Sequence, residues 1–309
     1  MSRAVIYESF GGPEVLEVRE VPQPHAGPGE VRVRVAAVGL NPMDWGLALL
    51  PEAAARFGIT VPSGFGYDFA GVVDEVGPGV DTFAAGDRVF GGAMGKASAD
   101  YLVMKFPTPP PDALYHTPDG LSDELASTLP VAGSTAVAAL DAIGLCPGDT
   151  VLVGGAAGGV GVFVVQLAKL AGATVIGTAS ESTFEFLRTL GAEPVAYGAG
   201  LVDRVRKLAP DGVTAATNLV GTETVETALA LGVPPERIST IAVGSNPPDG
   251  VRETGGSEAR PDALERITNG ILGGTISVPI AETFPIERIR DAVTLQAGFH
   301  VHGKVLVTL

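Results

Sequence analysis

Apolar residues in this chain follow two periods, and the change from one to the other divides it. Up to about Thr117 the pattern is that of strands. Glu30-Val31-Arg32-Val33-Arg34-Val35 alternates apolar and polar residues at every step, as a half-buried strand does. Ala70-Gly71-Val72-Val73-Asp74-Glu75-Val76 is a second run, closed by the turn Gly77-Pro78-Gly79. Pro107, Pro109, Pro110, Pro111 and Pro118 then make a stiff, turn-prone connection. From Asp119 helical spacing takes over, with Leu121-Ser122-Asp123-Glu124 as one helix start and Gly133-Ser134-Thr135-Ala136 opening another. Short apolar runs recur between helices at Val151–Val153, Thr174–Thr178, Pro194–Tyr197, Thr214–Leu219 and Ile238–Val243. Such alternation predicts an α/β fold with a doubly wound parallel sheet. Gly250–Pro261, with three glycines and one proline, reads as a mobile loop. Gly303–Leu309 reads as a terminal strand with no strand neighbour nearby, and so as a return to the N-terminal, β-rich domain.

The segment Thr150–Ser180 carries the candidate chemistry. A buried strand leads into Ala156-Ala157-Gly158-Gly159-Val160-Gly161, a variant of the dinucleotide fingerprint in which Ala156 replaces the first glycine. Missing side chains at Gly158 and Gly159 let backbone approach a pyrophosphate, and Gly161 lets the next helix pack against the strand. The anion would face the positive end of that helix. Val162, Val165, Leu167, Ala168 and Leu170 are its expected buried face, and Ala171-Gly172-Ala173 its end. A glycine pattern alone also occurs in a βαβ unit that binds nothing. The flanking strands and helix favour a ligand site.

Composition narrows the partners. The chain has 309 residues, enough for about two domains, and its 46% hydrophobic content supports full cores. With 20 basic against 35 acidic residues, the formal charge of -15 disfavours nucleic acid and anionic membranes. Cys146 is the one cysteine, which excludes an internal disulfide and a multi-cysteine metal cluster and suits a reducing cytoplasm. Arg3 is not followed by the apolar core of a signal peptide, and the most apolar run is broken by glycines, so no spanning segment is expected.

Six motifs in order then carry a resemblance over essentially the whole chain. They are Phe10-Gly11-Gly12-Pro13-Glu14-Val15-Leu16, Gly39-Leu40-Asn41-Pro42-Met43-Asp44, Gly66-Tyr67-Asp68-Phe69-Ala70-Gly71, Leu129-Pro130-Val131-Ala132-Gly133-Ser134-Thr135-Ala136, the glycine turn at 156–161, and Gly303-Lys304-Val305. The chain resembles the zinc-independent medium-chain dehydrogenase/reductases, in their quinone oxidoreductase or zeta-crystallin branch. That resemblance implies a Rossmann domain, expected over 118–254, inserted in a chaperonin-10-like (GroES-like) catalytic domain made of 1–117 and 255–309. It implies a homodimer, with an active site in the cleft between domains.

The same resemblance implies an NAD(P)H-dependent oxidoreductase acting on a small quinone or enone. Zinc-dependent relatives need a thiolate and an imidazole where this chain has Asn41 and Tyr67, so no zinc is expected. His25, His116, His300 and His302 are scattered and read as surface or capping residues. Asn41 is expected near the nicotinamide, with Asp44 and Tyr67 on the cleft wall as catalytic candidates. Each also has a plainer role: Asn41 before Pro42 suits a turn, Asp44 a helix cap, and Tyr67 a core. Thr135, Ala157, Gly158, Gly159, Val160, Thr178, Val220, Val243, Gly244 and Lys304 complete the expected cofactor contacts. Residues 46–65 are largely apolar, which favours a hydrophobic substrate, and lack the tyrosine that related enoyl-thioester reductases use as a proton donor.

Cofactor choice turns on Thr178-Ala179-Ser180-Glu181-Ser182-Thr183. Ser180 stands where NAD-preferring folds put a carboxylate, and with Ser182 and Tyr197 it favours NADPH over NADH. The basic residue relatives place just after Ser180 is replaced by Glu181. That loss keeps a second reading open, a non-redox or binding member of the fold, such as a biosynthetic tailoring protein, that retains the nucleotide cleft.

Overall fold

The structure, a computed structural model, describes residues 1–242, 246–299 and 301–309. The chain opens with β1 (Ser2–Tyr7), β2 (Glu17–Val21) and β3 (Glu30–Leu40), followed by α1 (Pro42–Leu49) and α2 (Pro51–Arg56). Next come β4 (Ser63–Gly64), β5 (Asp68–Val76), β6 (Arg88–Gly92), β7 (Tyr101–Lys105), β8 (Ala113–His116), α3 (Asp123–Ala126) and α4 (Pro130–Ala142). The alternating stretch is β9 (Thr150–Gly154), α5 (Gly161–Leu170), β10 (Thr174–Ala179), α6 (Phe184–Thr189), β11 (Glu193–Ala196), α7 (Leu201–Leu208), β12 (Ala215–Asn218) and α8 (Glu223–Ala230). It continues through β13 (Ile238–Thr240), β14 (Arg252–Glu253) and α9 (Ala263–Leu272) to β15 (Ile280–Pro285), α10 (Ile289–Ala297) and β16 (Lys304–Thr308).

Two compact units result, Met1–Val131 with Ile280–Leu309, and Ala132–Pro279. Both boundaries fall later than the expected 117/118 and 254/255. β8 pairs with β6, and α3 packs on β3 and β5, which keeps the chain in the first unit beyond Thr117. Leu264 and Ile267 of α9 pack where a side chain at Gly133 would sit, which holds 263–272 in the second unit.

The first unit is built around a seven-stranded sheet in the order β15-β16-β3-β5-β6-β8, with β7 also on β3, and a three-stranded sheet β2-β1-β4. Val31, Val33 and Val35 are buried, as their alternation predicts, and pack in one core with Phe69, Val73, Val305 and Val307. Arg32 departs from that alternation by being buried as well. Its guanidinium grips Asp74 through Nε and Nη2 at 2.9 and 3.0 Å, meets Glu75 at 2.7 Å and lies over the Tyr101 ring. β16 runs antiparallel to β3, so the terminal strand returns to the N-terminal unit as expected. It also has a neighbour the sequence did not reveal, since β15 pairs with it in parallel. At Gly39 a Cβ would stand 2.1 Å from the Ser127 carbonyl oxygen, so the segment after α3 crosses β3 where no side chain fits.

The second unit carries six parallel strands in the order β11-β10-β9-β12-β13-β14. Counted from β9 this is 3-2-1-4-5-6, the Rossmann order, whose direction reverses between β9 and β12. α5 buries Val162, Phe163, Val164, Val165, Gln166 and Ala168, while Leu170 is 56% exposed, against expectation. Gln166 takes the inward position because its amide is fully used: Oε1 accepts from the Ser277 amide, and Nε2 donates to the Ser277 and Val162 carbonyls. The helix expected to open at Gly133 begins at Pro130, a residue suited to a first helical turn. The stretch 250–261 is not a structureless loop, for it contains β14, which pairs with β13 as the sheet's sixth strand, and a single 3-10 turn at Gly256–Glu258.

Replacing Gly39 with alanine is expected to destabilise the protein by about 1–3 kcal/mol, the range for forcing atoms into a packed site. Urea unfolding checks this, and an unchanged midpoint would show that the Ser127 segment yields freely.

Candidate functional site

In the second unit, the turn after β9 is set by close approaches. Gly155 adopts φ +71°, and its amide donates to Thr178 Oγ1 at 3.2 Å, so Thr178 on β10 braces the turn. Cβ atoms would meet the Gly155 carbonyl oxygen at 2.4 Å from Gly161 and the Ala156 methyl at 2.7 Å from Gly177. These glycines are required by the protein's own packing. Gly158 differs, because a Cβ there would find its nearest atom at 3.4 Å, an ordinary contact. Ala157, Gly158, Gly159 and Val160 stay half-buried, leaving backbone reachable at the start of α5. The turn lies at the carboxyl end of β9, where the strand order reverses, the place where such sheets bind dinucleotides. Val220, 48% exposed, overhangs Gly155, and Thr135 is buried beside Gly256. Val243 and Gly244 lie outside the described residues.

Parallel pairing of β10 with β11 sets Ala179 opposite Ala196, so Ser180 and Tyr197 emerge side by side at the carboxyl ends of these strands. Ser180 Oγ lies 3.0 Å from Ser182 Oγ and 2.8 Å from Thr183 Oγ1, a cluster of three hydroxyls. Glu181 is exposed, and Tyr197 is 54% exposed.

In the first unit, Asn41, Asp44, Asp68 and Lys304 form one buried network. Lys304 Nζ donates to Asn41 Oδ1 at 2.6 Å and to the Leu40 carbonyl at 3.1 Å. Asn41 Nδ2 donates to Asp68 Oδ2 at 2.8 Å and to the Gly39 carbonyl at 3.2 Å. Asp68 also accepts the Val131 amide at 3.0 Å and faces Lys304 at 4.0 Å. Asp44, the third residue of α1, accepts the Asn41 amide at 2.7 Å and a backbone bond from Tyr67, so it holds the helix start. The structure thus joins three expected site residues, Asn41, Asp44 and Lys304. Their polar atoms are spent on one another and on backbone, and Lys304, at 2% exposure, is an internal strut. The Tyr67 ring lies across Gly92, and its hydroxyl donates to the Pro111 carbonyl.

Asp68 was not read as a site residue, although one signal pointed to it. A lysine inside the apolar strand Lys304-Val305-Leu306-Val307 demands a buried acid, and Asp68 opens the equally apolar Phe69-Ala70-Gly71-Val72-Val73. Burial pushes the Asp44 carboxyl up to about 7, reinforced by the charge of Asp68. It pushes Asp68 up to about 7 as well, opposed by Lys304 and Asn41. Lys304 is pushed down by burial and partly restored by the two carboxylates.

Comparison with known proteins agrees with this geometry. The pattern described as "Alcohol dehydrogenase GroES-like domain" matches residues 27–105, and "Zinc-binding dehydrogenase" matches 159–260. A quinone oxidoreductase of Pseudomonas aeruginosa is 32% identical, covering 99% of this chain and 99% of its own length. The chain belongs to the medium-chain dehydrogenase/reductase family. Among solved members, the CurK enoyl reductase superposes with a TM-score of 0.85 at 28% identity over 99% of both chains. A mycobacterial protein complexed with NADPH gives a TM-score of 0.85 at 25% identity over 100% of both. This family member is an NAD(P)H-dependent oxidoreductase. No helix among the described residues is long and apolar enough to cross a membrane.

Zinc, named in one matching pattern, does not fit the residues present. Asn41 offers a carbonyl already engaged by Lys304, and Tyr67 a hydroxyl already donating to Pro111. Neither is a thiolate or an imidazole.

The buried carboxyls set a pH dependence. With folded pKa values near 7 against about 4 unfolded, the native state binds more protons in that window, so stability falls as pH rises through it. Between pH 6 and pH 8 the protein is expected to lose on the order of 1 kcal/mol. Asp44→Asn, which keeps an acceptor for the Asn41 amide, is expected to make the profile shallower, with Asp68 supplying what remains. Urea midpoints at both pH values decide it, and a wild type equally stable at both would refute the buried-proton reading.

Proposed function

We propose that this chain is an NADPH-dependent reductase that delivers hydride to a quinone or an α,β-unsaturated carbonyl without a metal. The closed network at Asn41 carries this reading, because it occupies the atoms a catalytic metal would use. Bound NADPH supplies the hydride. A substrate already polarised by conjugation needs no Lewis acid, only orientation and hydrogen bonds to developing charge. Asn41, Asp44 and Lys304 act here as the frame that fixes the β3–α1 turn. Ala157, Gly158, Gly159 and Val160 present backbone to the pyrophosphate. Ser180, Ser182 and Tyr197 receive the 2′-phosphate, with Glu181 turned to solvent. The NADPH complex of the mycobacterial neighbour supports this cofactor, and the quinone oxidoreductase and enoyl reductase relatives support the substrate class.

Apolar residues favour a hydrophobic substrate. Leu49, Leu50 and Phe57 on and after α1 and α2 are exposed by 43%, 53% and 47%. No tyrosine lies in 46–65, so an enone takes its proton from solvent and a quinone needs none from this segment.

Purified protein is expected to enhance NADPH fluorescence and to oxidise NADPH with a panel of quinones and enones in a strong chelator, with substoichiometric zinc by elemental analysis. One zinc per chain with chelator-sensitive turnover would overturn the metal-free reading, and binding without turnover would overturn the reductase.

Cofactor preference gives a separate test. NADPH is expected to exceed NADH in kcat/KM. Glu181→Arg is expected to widen the ratio by about tenfold, since it replaces a repelling charge with a charge-assisted donor. Ser180→Asp is expected to reverse it, by binding the ribose diol and repelling phosphate. A wild type that favours NADH and loses that preference on removal of Glu181 would make Glu181 the ribose ligand.

A further inference from the structure

The loop joining β11 to α7 is held by a single side chain. Gly198 and Gly200 adopt φ +89° and +83°, and the carbonyls of residues 196–199 converge on one side chain. It is that of Arg204, one turn into α7. Its Nε and Nη2 donate to the Ala196 carbonyl at 3.0 and 2.8 Å, and Nη2 also reaches Tyr197 and Gly198 at 3.1 and 2.8 Å. Nη1 donates to Ala199 at 2.7 Å. From the other side, Glu223 of α8 accepts the Gly198 amide at 2.8 Å. Among the described residues Arg204 forms no ion pair, so its charge is met by carbonyl dipoles alone. Four converging carbonyls repel one another unless donors separate them, and the planar five-donor guanidinium can reach all four where an ammonium cannot.

The residue this clasp holds is Tyr197, whose ring stands 54% exposed at the end of β11 beside Ser180. A two-glycine loop has many backbone conformations; gripping the carbonyls on both sides of Tyr197 fixes where its side chain leaves the backbone. We propose that Arg204 is a positioning residue for cofactor selectivity: it fixes Tyr197 against the 2′-phosphoadenosine end without touching the ligand. The inference rests on the NADPH reading above. Selectivity for the phosphorylated cofactor is thereby assigned to a cation spent inside the loop, not to one at position 181.

The test uses the full chain. Calorimetric binding of 2′,5′-adenosine diphosphate is compared with that of adenosine 5′-diphosphate, alongside KM and kcat with NADPH and NADH. Wild type is expected to prefer the 2′-phosphorylated probe. Arg204→Gln is expected to weaken that probe and raise KM for NADPH by about tenfold, the scale of one charge-assisted hydrogen bond, with kcat and the NADH constants within about twofold. Arg204→Lys is expected not to rescue. Tyr197→Phe is expected to weaken the same probe in wild type and to add nothing in Arg204→Gln, since two residues acting as one unit are non-additive. Equal losses with both cofactors, or additive effects of the two substitutions, would make Arg204 a merely structural residue and overturn the inference. A wild type blind to the 2′-phosphate would overturn the NADPH reading itself, and this inference with it. Tyr197→Phe removes only a hydroxyl, so even where an Arg204 variant fails to fold, unchanged binding of the 2′-phosphorylated probe by Tyr197→Phe would overturn the inference.

Discussion

The first unit depends on a charge it has no water to dissolve. Lys304, Asp68 and Asp44 are buried together, and an ion taken from water costs several kcal/mol unless its partners are close and fully bonded. Asn41 makes the arrangement tolerable by presenting its carbonyl to the ammonium and its amide to the carboxylate. Breaking such a set by removing one partner leaves a buried charge without compensation, typically at 3–5 kcal/mol or about that scale. The end of β3, the start of β5 and the start of β16 are therefore held in one register. An apolar substitute would pack, but it would not specify which strand meets which.

The second unit is organised by absence of side chains. Gly161 and Gly177 are required because neighbouring backbone or a methyl group occupies the space a Cβ would take, and Gly155 because of its left-handed φ of +71°. Gly158 meets no such neighbour. That contrast separates glycines that build the turn from the one that leaves it open.

How much was legible follows the same physics. Patterns repeated over several residues were readable: the alternation at 30–35, the strand–turn–helix at 150–180 and the βα alternation beyond it all correspond to observed elements. The Rossmann unit, its inserted position and the oxidoreductase class were accessible from those patterns and motifs. Features fixed by a single distant partner were not. Gln166 is buried because it bonds a residue over a hundred positions away, and no local period reports that. Lys304 and Asn41 were picked out by their motifs, but their bond to each other was not, because a motif names a residue without naming its neighbour. Arg204 is one of three bases in the run Leu201-Val202-Asp203-Arg204-Val205-Arg206-Lys207-Leu208, and nothing local sets it apart. Its carbonyl partners carry no sequence signature at all.

The split of the first unit has a consequence for how the chain is made. Residues 132–279 are contiguous, so every strand pair of the parallel sheet is available as soon as that stretch has left the ribosome. The first unit waits: β3 pairs with β16 across more than two hundred and fifty intervening residues, and until Lys304 arrives Asn41 and Asp68 face each other without their cation. Long-range pairings of this kind are slow to form, and exposed strand edges invite association in the meantime. The nucleotide-binding sheet is thus complete while the β-rich unit still has part of one edge of β3 open. A nascent chain halted before 304 would carry one finished domain and one unpaired strand.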